Sequence, residues 1–198
     1  MPSFEKPLLI GLAGRARVGK DTVGARLCET YGLRRLALAD PIKDMVAAML
    51  GIERHVLDAY PKEMDLPDLD VSPRALFQTL GTEWGRETVG RDVWLKLAHR
   101  QWSAACRDSG FAGMVITDVR MSNEAAWVRK AGGVVIHVER AAAAPVRQHV
   151  SEMPPPVLNG DYRLSNNGTL DELYRRVDDL MRLLAYGRHT EQSPRVLL

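Results

Sequence analysis

Gly14-Arg15-Ala16-Arg17-Val18-Gly19-Lys20, a short way after the apolar run Leu8-Leu9-Ile10, fits the phosphate-cradling pattern G-x-x-x-x-G-K. The glycines let the backbone curl so that successive N–H groups face a single anion, and a helix starting near Lys20 adds the positive end of its dipole. A strand before the loop and a helix after it supply the context that the pattern requires. The stretch is therefore read as a loop built for nucleotide phosphates rather than a bland glycine-rich turn.

The residue after the lysine departs from the usual signature. A Ser or Thr hydroxyl there ordinarily ligates Mg²⁺, whereas this chain has Asp21, with Thr22 one place later. Three readings of the departure stand: Asp21 reaches the metal through water, Thr22 takes over the contact, or Asp21 simply favours the helix N-terminus.

Composition narrows the function classes. With 198 residues, 45% of them hydrophobic, the chain can bury one good core, so a single domain with a small insertion is the natural size reading. A net charge of +2 is too small for a protein that coats nucleic acid, and the basic residues fall in short clusters suited to a few phosphates. Cys28 and Cys106 lie far apart, without metal-type spacing or a disulfide framework, and read as reduced structural thiols of a cytoplasmic protein. No apolar stretch reaches the length of a membrane span and no signal-peptide pattern is present, so a soluble, intracellular protein is expected.

The elements alternate along the chain. Leu8 to Leu12 reads as a buried strand, Asp21 to Tyr31 as a helix closed by Gly32, and Leu36 to Ala39 as a second short strand. Asp40-Pro41 supplies a cap and a first-turn proline for a helix whose apolar residues run from Ile42 to Leu50, with a stop at Gly51. Glu53 to Val71 reads as a polar connection. Ser72-Pro73 opens another helix through Leu80, and a longer one follows Asp92 toward Cys106. Met114 to Thr117 and Val134 to Val138 are uninterrupted apolar strands on either side of a helix from Asn123 to Ala131. Tyr162 to Leu164 is a short strand, Thr169 with Glu172 forms a capping box for a helix through Leu184, and residues after Gly187 read as a frayed tail.

Apolar strands without polar alternation, separated by helices, predict a doubly wound α/β domain with a parallel sheet. The all-helical stretch from about Asp40 to Asp108 is expected to project as an insertion beside the phosphate site, and the stretch from about Arg140 to Pro156 as a shorter excursion. Asp118, directly after the strand Met114 to Thr117, falls where open α/β sheets bind ligands. A carboxylate there, in a chain with a phosphate loop, commonly orders Mg²⁺ or its water shell.

Several neighbourhoods then read together. Asp40-Pro41-Ile42-Lys43, Arg74 with Gln78-Thr79-Leu80-Gly81-Thr82-Glu83 and Arg86, Thr117-Asp118-Val119-Arg120 with Asn123-Glu124, and Asn166-Asn167-Gly168-Thr169 resemble the bacteriophage-type deoxynucleoside monophosphate kinases in order and spacing, over most of the chain. The block from Gln78 to Arg86 is the more specific part. The resemblance implies a P-loop kinase core with a helical acceptor-binding insertion and a short lid. It also implies ATP-dependent, Mg²⁺-requiring transfer of a phosphoryl group onto a deoxynucleoside 5′-monophosphate. The partner would be that small molecule rather than a membrane or nucleic acid, a homodimer is compatible with it, and a phage-encoded member would work in the host cytoplasm.

The residue types suit this chemistry, because phosphoryl transfer needs charge neutralisation, in-line positioning and exclusion of water rather than covalent participation by the protein. Lys20 is assigned to the β- and γ-phosphates, the backbone from Gly14 to Thr22 to the cradle, and Asp118 with Asp21 or Thr22 to the metal. Arg74, Arg86 and Arg120 are the candidates for the acceptor phosphate, since a guanidinium fork grips phosphate oxygens in pairs. Asp40 and Lys43 join the acceptor side through the resemblance, with Gln78 as a partner for a base edge and Trp94 or Phe77 as a stacking ring. Arg140, Arg147 and His149 are assigned to the lid, Arg147 and Arg120 being counted as catalytic. Asn166 and Gly168 match the turn that contacts the adenine of ATP. Two alternatives remain: a kinase of another phosphorylated metabolite or of a modified base in nucleic acid, and a nucleotide-binding switch. The switch would need a guanine-reading Asn-Lys-x-Asp, which the chain lacks.

Overall fold

The structure is a computed structural model and describes residues 6–67, 69–141, 154–186 and 195–197. Its strands are β1 (Leu8–Ala13), β2 (Arg34–Leu36), β3 (Gly113–Val119), β4 (Val134–Glu139), β5 (Tyr162–Ser165) and β6 (Arg195–Leu197). Among the described residues they form one sheet, ordered β2-β3-β1-β4-β5-β6, with every neighbouring pair parallel. The helices are α1 (Lys20–Tyr31), α2 (Asp40–Leu50), α3 (Arg54–Ala59), α4 (Pro73–Gln78), α5 (Val93–Ala105), α6 (Ser122–Lys130) and α7 (Leu170–Tyr186), with a π-helical segment, Thr79–Val89, between α4 and α5. No helix among the described residues is long and apolar enough to cross a membrane.

The chain divides into two compact units: residues up to Ala37 with those from Gln101 onward, and Leu38–Arg100. The first unit holds the sheet. Central β1 is buried along its whole length, which a parallel strand covered on both faces requires and which explains its lack of polar alternation. On one face Leu8, Ile10 and Leu12 pack beneath α1, through Val23 and Leu27, and α7, through Leu173 and Val177. On the other, Gly11 lets α6 approach, since a Cβ there would meet methyl carbons of Val119 and Val128 at 3.1 Å. The expected doubly wound α/β core is therefore the observed one.

A charged link fastens α1 to α7. Arg26 grips Asp178 through Nε at 3.3 Å and Nη2 at 2.8 Å, and the Tyr31 hydroxyl donates to the same carboxylate at 2.9 Å. Burial and that hydrogen bond push the Tyr31 phenol up to about 12. Burial would raise the Asp178 carboxyl, but Arg26 and Tyr31 outweigh it and hold the group below the usual range.

The second unit has its own small core, Val46, Ala47 and Leu57, against which Leu76, Phe77 and Leu80 pack. Ser72 caps α4 as expected, its Oγ accepting the Ala75 N–H at 3.3 Å.

Five expectations need correction. β2 lies at Arg34–Leu36, earlier than Leu36 to Ala39, because an edge strand with one partner needs little apolar sequence and leaves Arg34 and Arg35 exposed. Asp40 is the first helical residue of α2 rather than its cap, Ala39 taking the cap position. The stretch read as a polar connection contains α3. The helix read through Leu80 changes at Thr79 into the π-helical segment, whose wider turn a 3.6-residue periodicity does not detect. Arg195–Leu197, placed in the frayed tail, pairs with β5.

Candidate active site

The loop after β1 takes its shape from two glycines. Gly14 (φ 143°) and Gly19 (φ 100°) occupy backbone that L side chains rarely adopt. Neither accommodates a Cβ: at Gly14 it would lie 2.5 Å from the Val138 carbonyl oxygen, and at Gly19 2.4 Å from Asn166 Nδ2. Arg17 also has positive φ, 62°, a conformation that costs a non-glycine residue about 1 kcal/mol and that recurs at ligand-binding turns. Val18, buried in the core, anchors the loop while Arg15 and Arg17 face solvent.

Lys20 folds back over this turn, its Nζ donating to the carbonyls of Gly14 at 2.8 Å and Arg15 at 2.7 Å. Gly19 caps α1 with no side-chain oxygen, so the cap offers no acceptor to the first-turn N–H groups. A helix end of that kind, with an ammonium beside it, suits an anion. Asp21 is exposed and Thr22 half-buried on the same turn.

Asp118 lies within β3 rather than after it, since the strand continues to Val119. Gly11 pairs with Ile116 but Ala13 with Val119, so β3 carries one extra residue over that step. The resulting bulge breaks the in-and-out alternation at Thr117 and Asp118, a device common beside active sites because it re-aims a side chain. Asp118 is half-exposed there, one residue before the partner of Ala13, the last residue ahead of the loop. Buried Glu124 fixes the following turn, one carboxylate oxygen accepting the N–H groups of Arg120 at 2.7 Å and Met121 at 3.0 Å. Among the described residues no group of three His, Cys, Asp or Glu side chains can hold a metal alone. The donors at hand, one strand carboxylate and the Asp21 and Thr22 oxygens, fit Mg²⁺, which takes few protein ligands and the rest from phosphate and water.

The turn after β5 meets the loop through Asn166. Asn166, 8% exposed, donates its side-chain amide to the Val18 carbonyl at 2.8 Å and its backbone N–H to the Glu139 carbonyl at 2.7 Å. At Gly168 a Cβ would stand 1.8 Å from Glu172 Oε2, so a side chain there would displace that carboxylate. That oxygen accepts the Thr169 N–H at 2.8 Å, and the Glu172 N–H donates to Thr169 Oγ1 at 3.3 Å, forming the capping box read in the sequence. Arg140 is exposed just past β4. Arg147 and His149 lie outside the described residues.

In the second unit Asp40 and Lys43 share one network. Arg54 gathers Asp40 (Nη2 to Oδ1, 2.9 Å), Asp58 (Nε to Oδ2, 2.9 Å) and Asp44, while Asp58 Oδ1 takes Lys43 Nζ at 2.6 Å. Burial opposes the charge on Asp58, but Lys43 and Arg54 hold its carboxyl below the usual range. Arg54 and Asp58 escaped sequence reasoning, because arginine and aspartate in a polar stretch read as solvated surface.

Arg74 is exposed and ion-paired with Glu63, Gln78 is exposed, and Arg86 is half-buried on the π-helical segment. Trp94 is only 4% exposed, its indole N–H donating to the Gly81 carbonyl at 2.8 Å. Its ring fills the space left by Gly85, where a Cβ would come within 2.4 Å of it. The exposed indole of this segment belongs to Trp84, with its ring centre 6.5 Å from that of Trp94.

A family profile described as deoxynucleotide monophosphate kinase matches residues 64–177. A protein of Acanthamoeba polyphaga mimivirus, provisionally named a deoxynucleotide monophosphate kinase, is 25% identical over 86% of this chain and 94% of its own length. The deoxynucleotide monophosphate kinase of Escherichia phage RB69 is 33% identical over 56% of this chain, which matches 45% of that protein. Among solved structures, TT1252 from Thermus thermophilus aligns with a TM-score of 0.51 at 20% identity, covering 91% of this chain and 99% of its own, a likeness of fold.

Proposed function

The chain belongs to the deoxynucleotide monophosphate kinase family, and we propose that it transfers the γ-phosphoryl group of ATP to the 5′-phosphate of a deoxynucleoside monophosphate. The observation that carries the donor half is the loop from Gly14 to Lys20, with its two obligatory glycines and its inward-folded lysine. In the reaction an oxygen of the acceptor phosphate forms the new P–O bond while the bond from the γ-phosphorus to the β,γ-bridging oxygen breaks, leaving ADP. The acceptor is already an anion, so no strong general base is needed.

Lys20 and the N–H groups at the start of α1 bind and neutralise the donor phosphates. Asp118, with Asp21 or Thr22, would hold a Mg²⁺ whose chemistry is to neutralise phosphate charge. Arg74 and Arg86 grip the acceptor phosphate, and Arg120, exposed on the turn whose backbone Glu124 holds, adds a further guanidinium. Asp40 and Lys43 act on the acceptor side, their geometry set by Arg54 and Asp58.

ATP consumption measured across deoxynucleoside monophosphates and unphosphorylated deoxynucleosides tests the proposal. Turnover is expected only with the monophosphates, and an equally good deoxynucleoside substrate would sink it. Arg74→Lys and Arg86→Lys keep the charge but lose the planar fork, so each should raise the acceptor KM roughly tenfold or more and leave the ATP KM nearly unchanged. If the ATP KM rises instead, the arginines belong to the donor side. For the metal, Asp118→Asn should raise the Mg²⁺ concentration giving half-maximal rate, and Asp21→Ala and Thr22→Val should show which of the two shares the task. Unchanged metal dependence in all three variants would remove these residues from that role.

A further inference from the structure

We infer that Asn166 is a positioning residue for the phosphate loop, turning the Gly19 N–H toward the bound anion by holding the Val18 carbonyl away from it. The inference rests on the reading of Gly14 to Lys20 as the donor-phosphate site. A trans peptide is planar, with its C=O and N–H directed oppositely. The Val18 oxygen and the Gly19 N–H belong to one such plane, so fixing the oxygen fixes the direction of the donor. Asn166 Nδ2 does so at 2.8 Å.

The arm that holds it is itself rigid. Asn166 is 8% exposed and its backbone N–H is bound to the Glu139 carbonyl at 2.7 Å. The neighbouring Asn167 is also fixed, its Oδ1 accepting the Ala141 N–H at 2.7 Å and its Nδ2 donating to Ser165 Oγ at 3.1 Å. The fit extends to Gly19: a Cβ would stand 2.4 Å from Asn166 Nδ2, so the missing side chain makes room for the brace as well as for the positive φ. An asparagine that contacted adenine would act on the nucleoside end of ATP. This one acts, through Val18, on the phosphate end.

The two roles separate in a calorimetric titration of the whole chain with ATP and with tripolyphosphate, in the same Mg²⁺ buffer. Asn166→Ala should weaken both by the same factor, about tenfold, because a buried carbonyl loses its donor and the loop loses its preset direction. The acceptor KM should stay unchanged. Weaker ATP with unaltered tripolyphosphate affinity would make Asn166 an adenine contact and overturn the inference, as would no change in either or a wild-type chain indifferent to tripolyphosphate. If circular dichroism shows that the Ala variant does not fold, Asn166→Ser, whose hydroxyl is too short for the reach, should give the same pattern. A wild-type chain that binds both polyphosphates yet consumes no ATP with any deoxynucleoside monophosphate would deny the proposed reaction and leave the positioning role standing.

Discussion

Lys20→Ala is expected to lower turnover at least about a hundredfold in a protein that still folds, the range found when one preorganised donor is removed from a charge-developing site. The Lys20 ammonium is already held inside the turn by the Gly14 and Arg15 carbonyls. It needs little reorganisation to meet phosphate oxygens, and preorganisation is what gives such a donor its value. Stability should change little, because Lys20 is only half-buried and water can replace its ammonium at the two carbonyls. Steady-state kinetics and a thermal melt decide the matter. Near-normal turnover in a folded Lys20→Ala protein would remove the central argument for phosphoryl transfer at this loop.

The largest effect on stability is expected from Asp161→Ala, at about 3–5 kcal/mol, or a melting point lower by roughly 10 °C. Asp161 is 2% exposed and holds three partners. Arg129 donates Nε to Oδ1 at 2.9 Å and Nη2 to Oδ2 at 2.6 Å, the Leu158 N–H donates at 2.9 Å, and His137 Nε2 stands 3.0 Å away. An ionised carboxylate can only accept, so that histidine nitrogen carries the proton. Removing the carboxylate leaves a guanidinium and an imidazole facing each other with nothing between them. Burial would raise this carboxyl, but Arg129, the Leu158 N–H and His137 outweigh it and hold the group below its ordinary value of 3.8. A depressed carboxyl contributes stability above its unfolded pKa and loses it as pH falls through the folded one. Urea midpoints should therefore drop for the wild type on acidification below about pH 4, and less for Asp161→Asn. Asp58 and Asp178 titrate low as well, so the difference between the two proteins, rather than either curve, isolates Asp161. Parallel curves would show that Asp161 does not contribute in this way.

The central strands, the phosphate loop and α7 were legible because each carries its own local signal: unbroken apolar runs, two glycines and a lysine at fixed spacing, and a capping box. What could not be read depends on pairing. Arg34 and Arg35 become strand residues only because β3 offers them an edge. Six-residue α3 is tied down by Arg54, whose partners Asp40 and Asp44 lie on another helix. The bulge at Asp118 is a mismatch between two strands far apart in sequence, and no single-strand pattern encodes it. Asn166 shows the same limit: Asn-Asn-Gly-Thr reads as a turn either way, and only the fold brings its amide to Val18. Trp94 could not be told from Trp84 by helical spacing, since the π-helical segment shifts which ring faces inward.

The neighbours of β1 in the sheet are β3 and β4, yet all of Leu38–Arg100 is made between β1 and β3. As the chain leaves the ribosome, Leu8–Ala13 is complete long before Gly113–Val119 exists to cover either of its edges. Six consecutive residues without a charge, carrying bare backbone donors and acceptors, are a template for any other nascent strand. The short-range helical contacts of Leu38–Arg100 can form first, because they close small loops, whereas β1 must wait for a partner about a hundred residues away. The order of synthesis thus runs against the order of the sheet: the central strand is made first yet stays uncovered while about a hundred residues follow it, and the yield of folded protein will depend on what protects it in the interval.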